Sequence, residues 1–361
     1  MQLLTLNLEN FRNIPFASLR FGQNSHFLVG ANGQGKTNLL EAIGLVSALR
    51  SFRTQDTVHL IRSGAERARL FFTFEHEIEG EATVEIELTA TTKKCRLNGE
   101  NVGRMADFLG IFPTVVLSSE DIQLLRGAPQ LRRRLLDMTL STVDKDYFSA
   151  LRRYHRALKE RNSLLRNGKL DTKLLSSFES IIAPEAWALV NKRAQGLAQL
   201  NQRLQQAYQK ICELDEQPEL VYKANAEFET TEAVLKLLHS QRTRDHLLKA
   251  TQRGPHRDDV QFRLKGRLAR DFASEGQQRG LVVALRMAQV EAFQAVQSIQ
   301  PIVLADDVLG ELDPVRRKGF WAALGEQRQI VATGTVLPSA LQARQWKVFV
   351  VDQGGFGDGA Q

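Results

Sequence analysis

The apolar and polar positions of this chain change period along its length. Residues 3–8 alternate as a strand does, and short apolar blocks follow at 18–21 and 27–29. Residues 70–77 and 82–89 are rich in β-formers. Residues 93–97 add a further strand that ends at Asn98-Gly99, a pair suited to a two-residue hairpin turn. Val115-Val116-Leu117 reads as another short buried strand. From about 121 to 248 the pattern turns helical, with few glycines and few β-branched runs. Leu197, Leu200, Leu204, Tyr208 and Ile211 recur at three- and four-residue steps. They predict either a seam between short antiparallel helices or an ordinary core stripe. Beyond 251 the strands return. Residues 260–264 and 267–272 flank Lys265-Gly266 as a hairpin, and a helix is predicted over 274–296. Strands at 302–305, 329–333 and 346–351 follow, and the glycine-rich tail from Gln353 reads as frayed.

Composition narrows the class. The 361 residues allow two domains, or one domain with a large insertion. A chain 43% hydrophobic and 25% charged is an ordinary globular one. No apolar run approaches the roughly 18 residues of a membrane span. The first nine residues lack the basic start and apolar block of a secretory leader, so a cytoplasmic protein is expected. Cys95 and Cys212 stand in unrelated segments without metal-ligand spacing. The net charge of +7 suits a polyanionic partner, nucleic acid or anionic membrane.

The chemistry begins at Gly30-Ala31-Asn32-Gly33-Gln34-Gly35-Lys36-Thr37, which fits G-x-x-x-x-G-K-[ST]. An apolar strand precedes it and a helical run follows, the context this phosphate loop needs. Its glycines let successive N–H groups face phosphate oxygens, and the helix N-terminus adds partial positive charge. ATP is therefore the expected cofactor, with Asn38 just inside the helix. Lys36 is expected to reach the β- and γ-phosphates and Thr37 to ligate Mg²⁺.

A buried apolar strand, Ile302-Val303-Leu304-Ala305, then ends in Asp306-Asp307. In a parallel sheet such acids emerge at the carboxyl edge, beside the nucleotide. Asp306 is assigned to Mg²⁺ and Asp307 to the attacking water, as its acceptor or orienter. An acid pair after a strand also serves as a helix cap.

Ser274-Glu275-Gly276-Gln277-Gln278 opens a helix shortly before that strand, and Gly310-Glu311-Leu312-Asp313 follows it. Phosphate loop, serine–glycine helix start, acid strand and x-x-Leu-Asp turn, in that order, resemble the ATP-binding-cassette ATPase heads. The resemblance implies that Ser274, Gly276 and Gln277 bind the γ-phosphate held by a second copy, in a nucleotide-sandwiched homodimer. Glu275 stands where the transporter form L-S-G-G-Q has glycine. A carboxylate facing a γ-phosphate would be repelled, so Glu275 is expected to point away. Ser274 and Gln277 also have the spacing of a capping box, which is compatible with that role.

Further segments narrow the resemblance. Residues 33–42, Ser51-Phe52-Arg53-Thr54, Arg132-Arg133-Arg134-Leu135-Leu136-Asp137, Gly254-Pro255-His256-Arg257-Asp258-Asp259 and residues 306–313 resemble the RecF family of bacterial DNA replication and repair proteins. The likeness spans essentially the whole chain. It implies an SMC-like head that dimerises on ATP, hydrolyses it slowly and binds double-stranded DNA. It also implies action at gap junctions with RecO and RecR to help RecA load. Thr333-Gly334-Thr335 stands where related heads carry a switch histidine after the last core strand. A hydroxyl can donate to a γ-phosphate but exchanges no proton near neutral pH, which leaves the role of Thr333 open.

From Arg126 to Lys169 twelve lysines and arginines face four acids. Arg132 and Arg133, and Arg152, Arg156 and Lys159 beyond, are candidate DNA phosphate contacts. Solvated helix faces with internal salt bridges are the competing account. His256 and Arg257 are read as a junction loop that touches nucleotide or DNA, or as a plain turn. The expected fold is α/β: an ABC-type P-loop ATPase lobe, residues 1–117 and 250–361, with an inserted mainly helical second lobe at 118–249. A membrane-transporter ATPase subunit and a DNA-binding scaffold with an almost inactive ATP site are the alternatives.

Overall fold

The computed structural model describes residues 1–54, 56–167, 171–338, 341 and 345–359. Lys169, the last cation counted above, lies outside them.

Among the described residues, three sheets organise the chain. The first is antiparallel, in the order β2 (Ile14–Arg20), β1 (Gln2–Phe11), β4 (Arg67–His76), β5 (Gly80–Thr89), β6 (Lys93–Leu97), β7 (Glu100–Asn101). Along β4 every second residue is buried, as one-sided burial requires. The turn between β6 and β7 has Asn98 and Gly99 both at positive φ, as a primed hairpin turn needs.

The second sheet runs β15 (Gly355–Asp358), β14 (Lys347–Asp352), β3 (Ser25–Val29), β13 (Ile330–Gly334), β12 (Ile302–Asp306), β8 (Thr114–Ser118). All but the edge hairpin strand β15 pair in parallel. All five residues of β12 are buried, which explains its unbroken apolar run. Because β3 and β12 are parallel and flank β13, their carboxyl ends meet at one edge of the sheet. The tail after Gln353 is not frayed as far as Gly359: β15 pairs with β14 from Asp352↔Gly355 to Phe349↔Asp358.

The helices are α1 (Lys36–Ala48), α4 (Pro129–Val143), α5 (Lys145–Arg166), α6 (Thr172–Cys212), α7 (Thr231–Leu247), α9 (Glu275–Gln297) and α10 (Pro314–Leu324). Single turns α2 (Met105–Phe108), α3 (Gln123–Arg126) and α8 (Ala269–Phe272) lie between them. Asp144 caps α5, Thr230 caps α7 and Asp313 caps α10, each accepting from N–H groups of its first turn. Two expectations change. The stripe from Leu197 to Ile211 is buried, but it lies on one 41-residue helix that passes through Pro184, not on short antiparallel helices. The strand expected over 267–272 ends at Leu268, where α8 begins.

The chain divides into two compact units. The first comprises Met1–Asp121, Ala207–Leu214 and Arg279–Gln361, and holds the first two sheets. Its core joins Leu6, Leu8, Phe72 and Phe74 of the antiparallel sheet to Leu39, Ile43 and Leu304. The second comprises Ile122–Gln206 and Asp215–Gln278. It is mainly helical but carries a third sheet, β9 (Glu219–Lys223), β10 (Asp259–Leu264) and β11 (Arg267–Leu268), so it extends past the expected boundary at 249.

Ion pairs inside the second unit account for two motifs of the sequence. Arg132 is 6% exposed and forms a two-pronged bond to Asp259, at 2.7 and 3.0 Å. Arg193, fully enclosed, holds Asp137 at 2.8 Å and Asp258 at 3.1 Å. Burial opposes its charge, but Asp137 and the Tyr147 and Tyr222 hydroxyls raise its pKa. Arg161, also fully buried, pairs with Glu179 at 3.0 Å and with Asp245 at 2.8 Å.

Candidate functional site

Residues 30–37 leave the carboxyl end of β3 and enter α1. Gly33 and Gly35 have φ of 81° and 118°, where an L-residue would be strained. A Cβ at Gly30 would lie 2.3 Å from the Val351 carbonyl oxygen, so the loop is seated directly on β14. Lys36 is buried, and its ammonium donates to the carbonyls of Gly30 at 2.6 Å and Ala31 at 3.0 Å. Ala31, Asn32 and Gly33 are exposed, while Gln34, Thr37 and Asn38 are half-buried.

The acids expected opposite this loop are there. Thr37 Oγ1 donates to Asp306 Oδ1 at 2.9 Å. Thr333 Oγ1 donates to the same oxygen at 2.9 Å. Burial raises the Asp306 pKa, the two hydroxyls lower it, and the neighbouring Asp307 charge raises it again. Asp307 is exposed, with φ of 53°, and its N–H donates to Thr333 Oγ1 at 3.0 Å. Hard oxygens from one hydroxyl and one carboxylate fit Mg²⁺, which takes few protein ligands and completes its shell with phosphate and water. Among the described residues no group of three or more His, Cys, Asp or Glu is placed to hold a metal ion.

Around this core lies a shell that sequence reading missed. Asn13 Nδ2 donates to the Gln34 carbonyl at 3.2 Å, and Asn38 Nδ2 donates to Asn13 Oδ1 at 2.7 Å. The β14–β15 turn holds Gln34 from the other side, with Gln353 N–H on its Oε1 at 2.6 Å and Gly354 N–H on its carbonyl at 2.8 Å. The Gln34 side chain thus braces the loop. Beneath it, Glu41 is fully buried within α1 and is bound by Arg12 at 2.7 and 2.8 Å, by Ser51 and by Arg53. That pairing explains the Ser51–Arg53 motif. A lone acid in an apolar helical run was the available signal, because a buried carboxylate needs a cation.

Ser274, Gly276 and Gln277 belong to the second unit, at the start of α9. The capping box is formed: Ser274 Oγ accepts from Gln277 N–H at 3.3 Å and Gln277 Oε1 accepts from Ser274 N–H at 2.7 Å. Gln277 Nε2 also donates to Glu216 at 2.6 Å, while Ser274 and Glu275 are exposed.

The DNA candidates separate. Arg132 is withdrawn, because its guanidinium is consumed by Asp259 and by the Gly127 carbonyl at 2.8 Å. Arg133 is half-buried and donates to the Asp258 carbonyl. Arg152, Arg156 and Lys159 lie exposed on α5. Both ring nitrogens of His256 are engaged within the fold. Its Nδ1 meets the Tyr154 hydroxyl at 2.6 Å and its Nε2 the Thr251 carbonyl at 3.0 Å, and burial lowers its pKa to about 4.

Comparison with known proteins points the same way. The RecF/RecN/SMC N-terminal domain family matches residues 2–351. A DNA replication and repair protein RecF from Geobacter metallireducens is 35% identical over 348 residues, covering 95% of this chain and 94% of the relative. RecF from Symbiobacterium thermophilum is also 35% identical, over 96% of this chain and 94% of its own. A solved structure of the recombination mediator protein RecF-ATP in the RecFOR pathway superposes with a TM-score of 0.91 at 29% identity, covering 99% of this chain and 98% of that one. An Smc head bound to the C-winged helix domain of ScpA, 16% identical with a TM-score of 0.55, shares the fold. These matches set aside the transporter-subunit alternative. Among the described residues no helix is long and apolar enough to cross a membrane.

Proposed function

The chain belongs to the RecF family of DNA replication and repair proteins, and from that premise we propose that it is a weak, DNA-stimulated cytoplasmic ATPase that uses ATP to close a homodimer on duplex DNA. It would act at gap junctions, with RecO and RecR, to help RecA load. The observation that carries the nucleotide half of this reading is the bond from Thr37 to Asp306. It joins the phosphate loop to the acid strand at one sheet edge.

The loop N–H groups and Lys36 would bind the β- and γ-phosphates. Thr37 and Asp306 would hold Mg²⁺, which neutralises phosphate charge when bound. Asp307, exposed beside them, would take the proton of the water that attacks the γ-phosphorus as ADP leaves. Ser274 and Gly276 of one copy would meet the γ-phosphate held by the other. The exposed cations Arg152, Arg156 and Lys159 of α5 would contact DNA phosphates without reading sequence.

Single-turnover hydrolysis tests this, with and without duplex DNA. Lys36→Ala should lose ATP binding or turnover. Asp307→Asn should bind ATP and hydrolyse it about a hundredfold more slowly. A parent rate in Asp307→Asn would remove its assignment as base. A parent that binds ATP and dimerises without turnover would make the chain a nucleotide-gated scaffold.

A further inference from the structure

We infer that Thr333 is a positioning residue for Asp307: its hydroxyl ties the metal-facing carboxylate to the strained backbone that carries the water-activating acid. The inference rests on the reading of Asp307 given above. It gives a role to Thr333, which the sequence left open.

The geometry leaves the hydroxyl little freedom. Thr333 is 2% exposed, near the end of β13, which runs beside β12 in register from Val303↔Ile330 to Ala305↔Ala332. A hydroxyl has one proton to donate and lone pairs to accept with. Its proton goes to Asp306 Oδ1 at 2.9 Å, and it accepts the Asp307 N–H at 3.0 Å. Turning that proton toward a phosphate would strip Asp306 of one of its two hydroxyl donors. Meanwhile Asp307 sits at φ 53°, a conformation that L-residues adopt at a cost. Strain of this kind persists only where the surroundings hold it. The bond to Thr333 anchors Asp307 at its own N–H, directly at the strained residue. Without it, Asp307 can relax toward ordinary φ, and its carboxylate moves with the backbone. Asp306 keeps its bond from Thr37, so nucleotide binding should survive while water activation fails.

Three substitutions separate this from a merely structural role. Thr333→Ser keeps the hydroxyl, Thr333→Val keeps the shape, and Thr333→Ala removes both and provides a smaller replacement if valine disturbs folding. Single-turnover hydrolysis and binding of a fluorescent ATP analogue are measured for each, and for Asp307→Asn alone and combined with Thr333→Val. The expected result is a hydrolysis rate within about threefold of the parent for Thr333→Ser. Thr333→Val and Thr333→Ala should be slowed tenfold or more, with ATP affinity within about threefold of the parent. The double variant should be no slower than Asp307→Asn alone, because both act on one step. Parent-like hydrolysis in Thr333→Val, an equal loss in Thr333→Ser, or multiplicative losses in the double variant would overturn the inference. If Asp307→Asn itself keeps the parent rate, the reading of Asp307 falls and takes this inference with it.

Discussion

Thr37 donates a hydrogen bond to Asp306 at 2.9 Å across 269 residues of sequence. The contact exists because β3 and β12 both run parallel to β13 and deliver their carboxyl ends to one edge. Asp306 is a buried carboxylate whose burial opposes its charge. Asp306→Asn should therefore leave thermal stability unchanged or slightly raised, since it removes a desolvated charge while keeping the shape. Affinity for ATP with Mg²⁺ should fall tenfold or more, and affinity for ATP without Mg²⁺ should change little. Melting curves and nucleotide titrations with and without the metal check this. A large loss of stability would mean that the carboxylate serves the fold instead.

The β14–β15 turn should tune nucleotide affinity. Gly354 has φ 79°, and a Cβ there would lie 2.5 Å from the Asn13 carbonyl oxygen. Gly354→Ala should push the turn away from Gln34 and loosen the loop. The Kd for ATP should rise about threefold to tenfold, with stability reduced by about 1–2 kcal/mol. Isothermal titration against ATP decides it. Gln34→Ala should raise the Kd in the same direction, because it removes the acceptor of the Gln353 N–H.

His26, buried, and His256, half-buried, give the fold an acid limit. His26, in contact with Phe21 and Phe349, has its pKa lowered from 6.5 to about 4, chiefly by burial, as does His256. Between those values the unfolded chain binds protons that the folded chain does not. Stability is therefore complete above about pH 6.5 and declines as pH falls toward 4. At pH 5 each histidine should cost roughly 2 kcal/mol. Denaturant unfolding at pH 7.5 and 5 should show this, and His26→Phe should remove about half of the difference. An unchanged difference would place the acid sensitivity elsewhere.

Arginines of the second unit should divide by burial. Arg132→Ala breaks an enclosed pair with Asp259 and should cost about 2–3 kcal/mol of stability. Arg152→Glu with Arg156→Glu changes exposed positions and should leave stability within about 0.5 kcal/mol. The double variant should lower duplex affinity for all sequences alike and flatten the dependence on salt, with ATP binding unchanged. Fluorescence anisotropy across a salt series reads this. An unchanged slope would move the DNA surface off α5. Lys94 and Arg96 of β6 are poor substitutes, because Arg96 pairs with Glu85 and Lys94 stands opposite Glu87.

The nucleotide edge was legible because each of its parts is local in sequence. A strand, a glycine-rich turn with positive φ and a buried acid-tipped strand each leave a pattern in a few adjacent residues. Asn98-Gly99 was legible for the same reason. What stayed hidden depends on pairing across distance. Nothing near Gln353 shows that its N–H meets Gln34, so the tail looked frayed. Arg132 looked like a DNA contact because helical spacing locates its face but not Asp259, which lies 127 residues on. The long α6 was misjudged because three- and four-residue spacing from Leu197 to Ile211 marks a buried face but not where the helix ends, and α6 runs through Pro184. The role of Thr333 needed the register of β12 against β13.

Under the proposed function, nucleotide should close a dimer through the serine that opens α9. Sedimentation velocity of the full chain with ATP and Mg²⁺ tests it most directly, for the parent and for Ser274→Arg. The parent should shift from monomer to dimer only when ATP is present. Ser274→Arg should bind ATP with near-parent affinity and stay monomeric. A Ser274→Arg variant that dimerises on ATP like the parent would contradict it.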